Sequence, residues 1–110
     1  MKTPEISVEF FPPKNSAGEE RLRESMAALA ALHPAYASVT YGAGGSTQER
    51  TLATVRLIQG QNGYEAVPHL TCIGSTEAGI RELLQRYRDW GVRRIVALRG
   101  DLPEIGRAHV

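Results

Sequence analysis

The chain has 110 residues, of which 42% are hydrophobic and 23% are charged, and this composition is typical of a folded globular chain rather than a disordered one. The length suffices for one small domain with a single core. Its net charge of +1, from 13 basic and 12 acidic side chains, provides no basic surface for a nucleic acid or an anionic membrane.

The remaining compositional features indicate a cytoplasmic location. Cys72 is the only cysteine, so an internal disulfide is excluded and a reducing compartment is favoured. Cys72 has no partner at metal-ligand spacing, so we expect no metal site and a small buried or half-buried side chain. No apolar run approaches the roughly 18 residues of a membrane span, and the first residues have no signal-peptide core.

Residues 7–13 are predicted to form a short buried strand that ends in two prolines. Val8 and Phe10 are expected on one face, and Ser7, Glu9 and Phe11 on the other. A carboxylate in an apolar strand must find a partner, stay in contact with water, or hold a proton. The last case would make Glu9 a proton donor, and the alternative is a structural pair with one of the arginines.

Three helices are predicted between the strands. Capping boxes at Ser16 and Ser46 begin the first two, and Ser75 or Thr76 begins the third, which has Gly91 at its C-terminal cap. The residues 33–34, His-Pro, end the first helix. The apolar stripes expected to face the core are Leu22, Met26, Leu29 and Leu32, then Leu52, Val55 and Ile58, then Ile80, Leu83, Leu84 and Tyr87.

The later strands are predicted over residues 36–41, 65–71 and 95–98, with turns at 42–45 and 62–63. Pro68 lies within the third strand, where we expect pairing to weaken because proline cannot donate to the ladder.

The strands end at residues 11, 41, 71 and 100, at intervals of 30, 30 and 29 residues. This repeat of strand and helix predicts an α/β fold with parallel strands and helical crossovers. Doubly wound sheets and (β/α)8 barrels both fit. A barrel needs roughly 250 residues and eight units, so four strands and three helices are half of one.

In either architecture the chemistry lies at the carboxyl ends of the strands. Those ends carry Glu9, Thr40, His69, Arg99 and Asp101. Each has a structural alternative: an ordinary strand threonine, a hydrogen-bonded histidine, or a local ion pair around a glycine turn. Their clustering is what favours a functional site.

Four motifs at these strand ends, in this order, resemble the methylenetetrahydrofolate reductase family: VEFFPP at 8–13, SVTYGAGGST at 38–47, PHLTC at 68–72 and IVALRGD at 95–101. The resemblance runs from Ile6 to about Pro103. It covers the first half of the family's catalytic barrel, so it implies that residues 1–110 form a partial (β/α)8 barrel domain.

The resemblance implies a flavin-dependent oxidoreductase of one-carbon metabolism and methionine synthesis. It would reduce 5,10-methylenetetrahydrofolate to 5-methyltetrahydrofolate with NAD(P)H, such as NADH, through FAD. The residues implied are Glu9 as the catalytic acid, Thr40 and His69 at the flavin ring, Arg99, Gly100 and Asp101 along the flavin's pyrimidine side and ribityl chain, and Glu9 and Asp101 against the folate.

Two other interpretations remain open. A half-barrel could dimerise and bind a ligand without turnover, with apolar edges at residues 7–11 and 95–98. A different barrel enzyme is the other, although a Schiff-base aldolase would need a lysine at a strand end, and the four ends have none. If the chain is instead part of a reductase barrel, as the family resemblance implies, we expect the 110-residue chain alone to be inactive and to form a homo-oligomer.

Overall fold

A computed structural model describes residues 4–41, 45–61, 64–72 and 76–98, and the structural statements that follow concern those residues. Strands and helices alternate along the chain, as the sequence predicts. The elements are β1 (Ser7–Phe10), α1 (Ser16–Leu29), a 3-10 turn (Ala30–Leu32), β2 (Tyr36–Val39), α2 (Gly45–Gln59), β3 (Ala66–Thr71), α3 (Glu77–Asp89) and β4 (Val96–Leu98).

The four strands form one parallel sheet in the order β1-β2-β3-β4, which confirms the predicted α/β fold. The register pairs Glu9 with Ser38, and Ser38 with Val67. Spatial order therefore follows chain order, whereas a doubly wound sheet reverses its order at a switch point. The arrangement is consistent with the first half of a (β/α)8 barrel, and the complete barrel remains a prediction.

β3 lies between β2 and β4, and Pro68, where weakening was expected, is paired with Val39 of β2. β3 pairs with β2 from Ala66 to Pro68, and with β4 from His69 to Thr71. Pro68 is buried and is the last β3 residue in the ladder with β2, one residue before the ladder with β4 begins.

The core lies between one face of the sheet and the helices. It contains the alternate strand residues Phe10, Ala37, Val39, Ala66 and Leu70, and the helical residues Leu22, Met26, Leu52, Val55, Ile58, Leu83 and Tyr87. Each large apolar side chain buried there contributes about 1.5–3 kcal/mol. Most of the predicted stripes are confirmed, and they hold the helices against a single face of the sheet.

Two helices start earlier than predicted, α1 by one residue and α2 by two. Asn15, not Ser16, caps α1: its extended backbone lets the side chain accept a hydrogen bond from the Gly18 N–H at 2.8 Å. The capping box at Ser16 is therefore wrong. α2 likewise begins at Gly45, one residue ahead of the cap predicted at Ser46. Serine and asparagine are about equally good caps, so adjacent candidates are not separated by residue type.

The start and end of α3 are as predicted. Thr76 is the N-cap and accepts from the Gly79 N–H at 3.0 Å, while Gly91 adopts a φ of +83° just past the helix. The alternative cap, Ser75, lies outside the described residues, as do residues 62–63.

Four burial predictions are wrong. The first strand was predicted to be buried, but in β1 only Phe10 is buried, and Phe11 is 74% exposed. Leu32 is 52% exposed, because the 3-10 turn that follows α1 breaks the helical spacing. Leu84 is 38% exposed, since it lies next to the stripe formed by Leu83 and Tyr87. Cys72 follows the last residue of β3 and is exposed rather than buried. In the described part of the chain, no helix is both long and apolar enough to cross a membrane.

Candidate active site at the carboxyl edge of the sheet

Glu9 lies on the face of the sheet that the helices do not cover. Strand alternation turns Val8 and Phe10 toward the helices, where Phe10 is 7% exposed. The Glu9 side chain, on the opposite face, is 51% exposed. The carboxylate is therefore held by a strand whose other face is buried, yet it remains open to a ligand.

Two neighbouring strands bring polar groups to Glu9. The His69 Nε2 atom of β3 lies 3.3 Å from Glu9 Oε1, and the Ser38 hydroxyl of β2 donates to the same oxygen at 3.4 Å. Within the described residues no hydrogen bond engages the other oxygen, Oε2. Three strands thus converge on one carboxylate, which we call the Glu9 cluster (Glu9, Ser38 and His69).

The structural alternative for Glu9, a pair with an arginine, is not formed by any described arginine. Their ion pairs are with Glu19, Glu65 and Glu77. The partner of Glu9 is instead His69, whose side chain is only 13% exposed. The two side chains approach through Nε2 and Oε1, and the imidazole can face the carboxylate in its neutral or its charged form.

Thr40 follows β2 and is fixed by its backbone. Its N–H donates to the Phe10 carbonyl at 3.1 Å, and its own carbonyl accepts from the Thr51 hydroxyl of α2 at 3.1 Å. Because both backbone groups are used, the hydroxyl is the polar group that Thr40 can offer to a ligand. Continuing the register from Val39 and Pro68 places Thr40 beside His69 at this edge.

Two residues of this region were not predicted as site residues. Ser38 contacts Glu9 directly. In the sequence, the feature that could have indicated this role is a polar residue between the apolar residues Ala37 and Val39 of a predicted strand. Thr51 is fully buried and anchors Thr40 from α2. In the sequence, the feature that could have indicated this role is a hydroxyl residue next to the apolar stripe of the second predicted helix.

The other predicted site residues, Arg99, Gly100 and Asp101, lie outside the described residues, and their roles remain predictions. A cavity of about 340 Å³ lies between α2 and α3, where it is lined in part by Tyr41, Gln48 and Arg86. It includes no member of the Glu9 cluster. The candidate site is therefore an open face of the sheet rather than this cavity.

A separate ion pair joins the starts of β3 and β4. The Arg94 guanidinium donates two hydrogen bonds to Glu65, at 2.8 and 3.0 Å, and lies 4.8 Å from the centre of the Tyr36 ring. The hydrogen bond from Arg94 is the main cause of the lowered pKa of Glu65. Partial burial acts in the opposite direction and raises this pKa, while the charges of Arg94 and Arg93 lower it further by smaller amounts. This pair lies at the amino ends of the strands, away from the Glu9 cluster.

A parallel α/β sheet with polar side chains converging at its carboxyl edge has the arrangement of an α/β enzyme, because that edge is where such folds place their chemistry. Comparison with known proteins then gives the family. The profile described as Methylenetetrahydrofolate reductase matches residues 1–109, and this chain belongs to that family.

Curated relatives agree with the family. The 5,10-methylenetetrahydrofolate reductase of Pectobacterium carotovorum is 48% identical over 92% of this chain and 34% of its own length. That of Escherichia coli is 46% identical over 89% of this chain and 33% of its own length. Methylenetetrahydrofolate reductase (NADH) 1 of Arabidopsis thaliana is 40% identical over 89% of this chain and 17% of its own length. The chain thus spans about a third of the bacterial relatives.

Proposed function

We propose that this chain forms the proton-donor side of the active site of a flavin-dependent 5,10-methylenetetrahydrofolate reductase. The observation that carries the proposal is the Glu9 cluster, in which an accessible carboxylate at the carboxyl edge is contacted by the Ser38 hydroxyl and the His69 imidazole of two further strands. The name of the relatives supplies the substrate. Reduction by NADH or NADPH in the cytoplasm, and the product 5-methyltetrahydrofolate, are part of the same proposal.

Glu9 is proposed as the acid of the folate step. Opening the five-membered ring of the folate requires a proton on the departing nitrogen, and a positioned general acid accelerates such a step by about 10²–10⁴-fold. Glu9 meets the two geometric requirements, because its side chain is 51% exposed while its backbone is fixed by pairing with Ser38. His69 and Ser38 both contact Oε1, which leaves Oε2 to carry the proton.

The donor set of this edge fits FAD. Thr40 offers a hydroxyl and His69 an imidazole, and both can hydrogen-bond the carbonyl and nitrogen atoms of a flavin ring. FAD, when bound, supplies the transfer of a hydride from the nicotinamide to the folate. Arg99, Gly100 and Asp101 are proposed to extend this site along the flavin, with Asp101 also against the folate.

Residues 1–110 are proposed to be part of a larger barrel domain. Because the chain alone would then lack the remainder of the site, it is proposed to be inactive. β1 and β4 are the outer strands of the described sheet, and each leaves an unpaired edge. Unpaired edges favour association with another strand, and we also propose a homo-oligomer for the 110-residue chain.

Turnover is best tested in a chimera in which this chain replaces the matching third of the Escherichia coli relative. Stopped-flow absorbance then follows two steps separately: reduction of the flavin by the nicotinamide, and its reoxidation by the folate. We expect Glu9→Gln to leave the first step unchanged, because that step needs no acid at the folate nitrogen. The second step should slow by about 10²–10⁴-fold.

Glu19→Gln is the matched control, since the Glu19 carboxylate forms an exposed pair with Arg23 on α1, away from the Glu9 cluster. It should leave both steps unchanged. Equal slowing of the two steps by Glu9→Gln would indicate that Glu9 is structural, as would a loss of bound flavin. A normal folate step in that variant would remove Glu9 from the catalytic role.

The visible absorbance of the purified 110-residue chain is an independent test of the binding alternative. A chain that holds flavin without the remainder of a relative would support the interpretation as a binding module. A colourless chain that becomes yellow only in the chimera would support a site completed by residues beyond position 110.

A further inference from the structure

Ser38 places a hydroxyl at an unusual position for this sheet. It is 7% exposed in β2, between Ala37 and Val39, which are fully buried. A buried hydroxyl is nearly always hydrogen-bonded, because leaving it unpaired costs about 1–3 kcal/mol. The acceptor it uses is Glu9 Oε1, at 3.4 Å.

We propose that Ser38 is a positioning residue for Glu9, which holds Oε1 so that the proton is delivered from Oε2. This inference rests on the proposed function of Glu9 as the acid. An oxygen that accepts a hydrogen bond from Ser38 and lies 3.3 Å from the His69 Nε2 atom is a poor site for a proton, so the two contacts direct the proton to the other oxygen. Ser38 acts through Glu9 and is not itself given a contact with the substrate.

A single contact would leave the carboxylate free to turn. The Ser38 hydroxyl comes from β2 and the His69 imidazole from β3, so together they limit rotation about the last bond of the Glu9 side chain. The contacts are long, at 3.4 and 3.3 Å, and catalytic hydrogen bonds of this kind shorten when substrate binds. Misplacement of a reacting group by about 1 Å can slow a step by about 10²-fold.

The register explains why Ser38 is suited to this task. Glu9 and Ser38 are directly paired across β1 and β2, and Phe10 is likewise paired with Val39. The backbone atoms on both sides of the contact are thus fixed by the parallel ladder and by the buried face behind it. Only the side-chain torsions of Glu9 remain free, and the contact with the Ser38 hydroxyl on the neighbouring strand restricts them.

The kinetic test uses the chimera and three variants at Ser38 and a control site. Ser38→Ala should slow the folate step by about 10–10²-fold at saturating folate, with flavin reduction unchanged. Ser38→Thr retains the hydroxyl and should recover most of that loss. Thr54→Val is the control, because it removes another buried hydroxyl, bonded within α2 to the Arg50 carbonyl, and should change neither step.

A double variant tests whether Ser38 acts through Glu9. Once Glu9→Gln has removed the acid, adding Ser38→Ala should slow the folate step no further. Losses that multiply in the double variant would overturn the inference, as would equal slowing of both steps by Ser38→Ala. A folate step that Ser38→Ala leaves at the normal rate would also overturn it.

The contact itself can be measured without turnover, which separates this inference from the proposed function. At chain concentrations where the 110-residue chain does not associate, urea unfolding with Ser38→Ala, Glu9→Ala and both changes should give unfolding constants coupled by at least about twofold. Coupling with a normal folate step in Glu9→Gln would refute the acid role and leave a structural pair. Absence of coupling would refute the positioning role whatever the kinetics of Glu9.

Discussion

The hydroxyl of Tyr87 gives the sharpest stability prediction. Tyr87 is 1% exposed in α3, and its ring packs edge-on against Trp90 with 6.1 Å between centroids. Among the described residues its hydroxyl has no hydrogen-bond partner. Burial raises the pKa of Tyr87 to about 12, with a smaller contribution from Tyr41. The unpaired hydroxyl in the core therefore lowers the free energy of unfolding.

The magnitude follows from that cost. A buried polar group without a partner destabilises by about 1–3 kcal/mol, whereas replacing it with an apolar group of the same shape can be neutral or stabilising. Tyr87→Phe keeps the ring and removes only the hydroxyl. We therefore expect the free energy of unfolding to rise by about 1 kcal/mol. A small cavity left by the oxygen would reduce the gain, but it should not reverse its sign.

Tyr64 provides the matched comparison. Its hydroxyl donates to the Met26 carbonyl at 2.7 Å, and its ring lies edge-on to Phe10 at 6.4 Å. Tyr64→Phe makes the same chemical change but removes a short hydrogen bond. It should lower the free energy of unfolding by about 1 kcal/mol. The two substitutions therefore have opposite expected signs.

Urea unfolding followed by circular dichroism measures both variants, at chain concentrations where the chain does not associate. A loss of stability in Tyr87→Phe as large as that in Tyr64→Phe would show that the Tyr87 hydroxyl does not destabilise the fold. High pH adds a second comparison. Since an unfolded tyrosine ionises near 10.0 and folded Tyr87 near 12, the unfolded state loses its proton first and stability falls as pH rises between these values. Tyr87→Phe should lose less stability over that range.

Two further predictions concern the ends and edges of the strands. Because the pKa of Glu65 is lowered in the fold, its pair with Arg94 stabilises above the usual value of 4.5 and is lost as pH falls through the lower folded value. Acid titration of stability should therefore be flatter in Glu65→Gln than in the unmodified chain. Sedimentation of the 110-residue chain should show association through the unpaired edges of β1 and β4. A monomer that melts cooperatively would contradict that expectation.

The repeat of the fold could be predicted from the sequence because each βα unit carries its own signals. Prolines, glycines and apolar spacing place three helices and four strands, and a 30-residue interval leaves parallel pairing as the simplest connection. Residue-level boundaries could not be predicted as well. Asn15 and Ser16 are adjacent and both suitable as caps, and only the backbone angles select Asn15.

The candidate site was predictable in part for the same reason. Parallel strands bring their carboxyl ends to one edge, which is enough to place Glu9, Thr40 and His69 near one another. The contact of Glu9 with Ser38 depends on the register between β1 and β2, which no local pattern specifies. Burial of Cys72 was predicted from residue type alone, and its position just past β3 exposes it.

The two faces of the sheet divide stability from chemistry. Phe10, Val39 and Leu70 point to the helices and are buried, so substitutions there would act through packing. Glu9 and His69 alternate with those residues on the other face and meet at 3.3 Å. Alternation along each strand fixes which residues share a face. Packing of the buried face against the helices therefore also fixes the register between strands that brings Glu9 and His69 together on the other face. The carboxylate at the open face is thus positioned by a core that it does not enter.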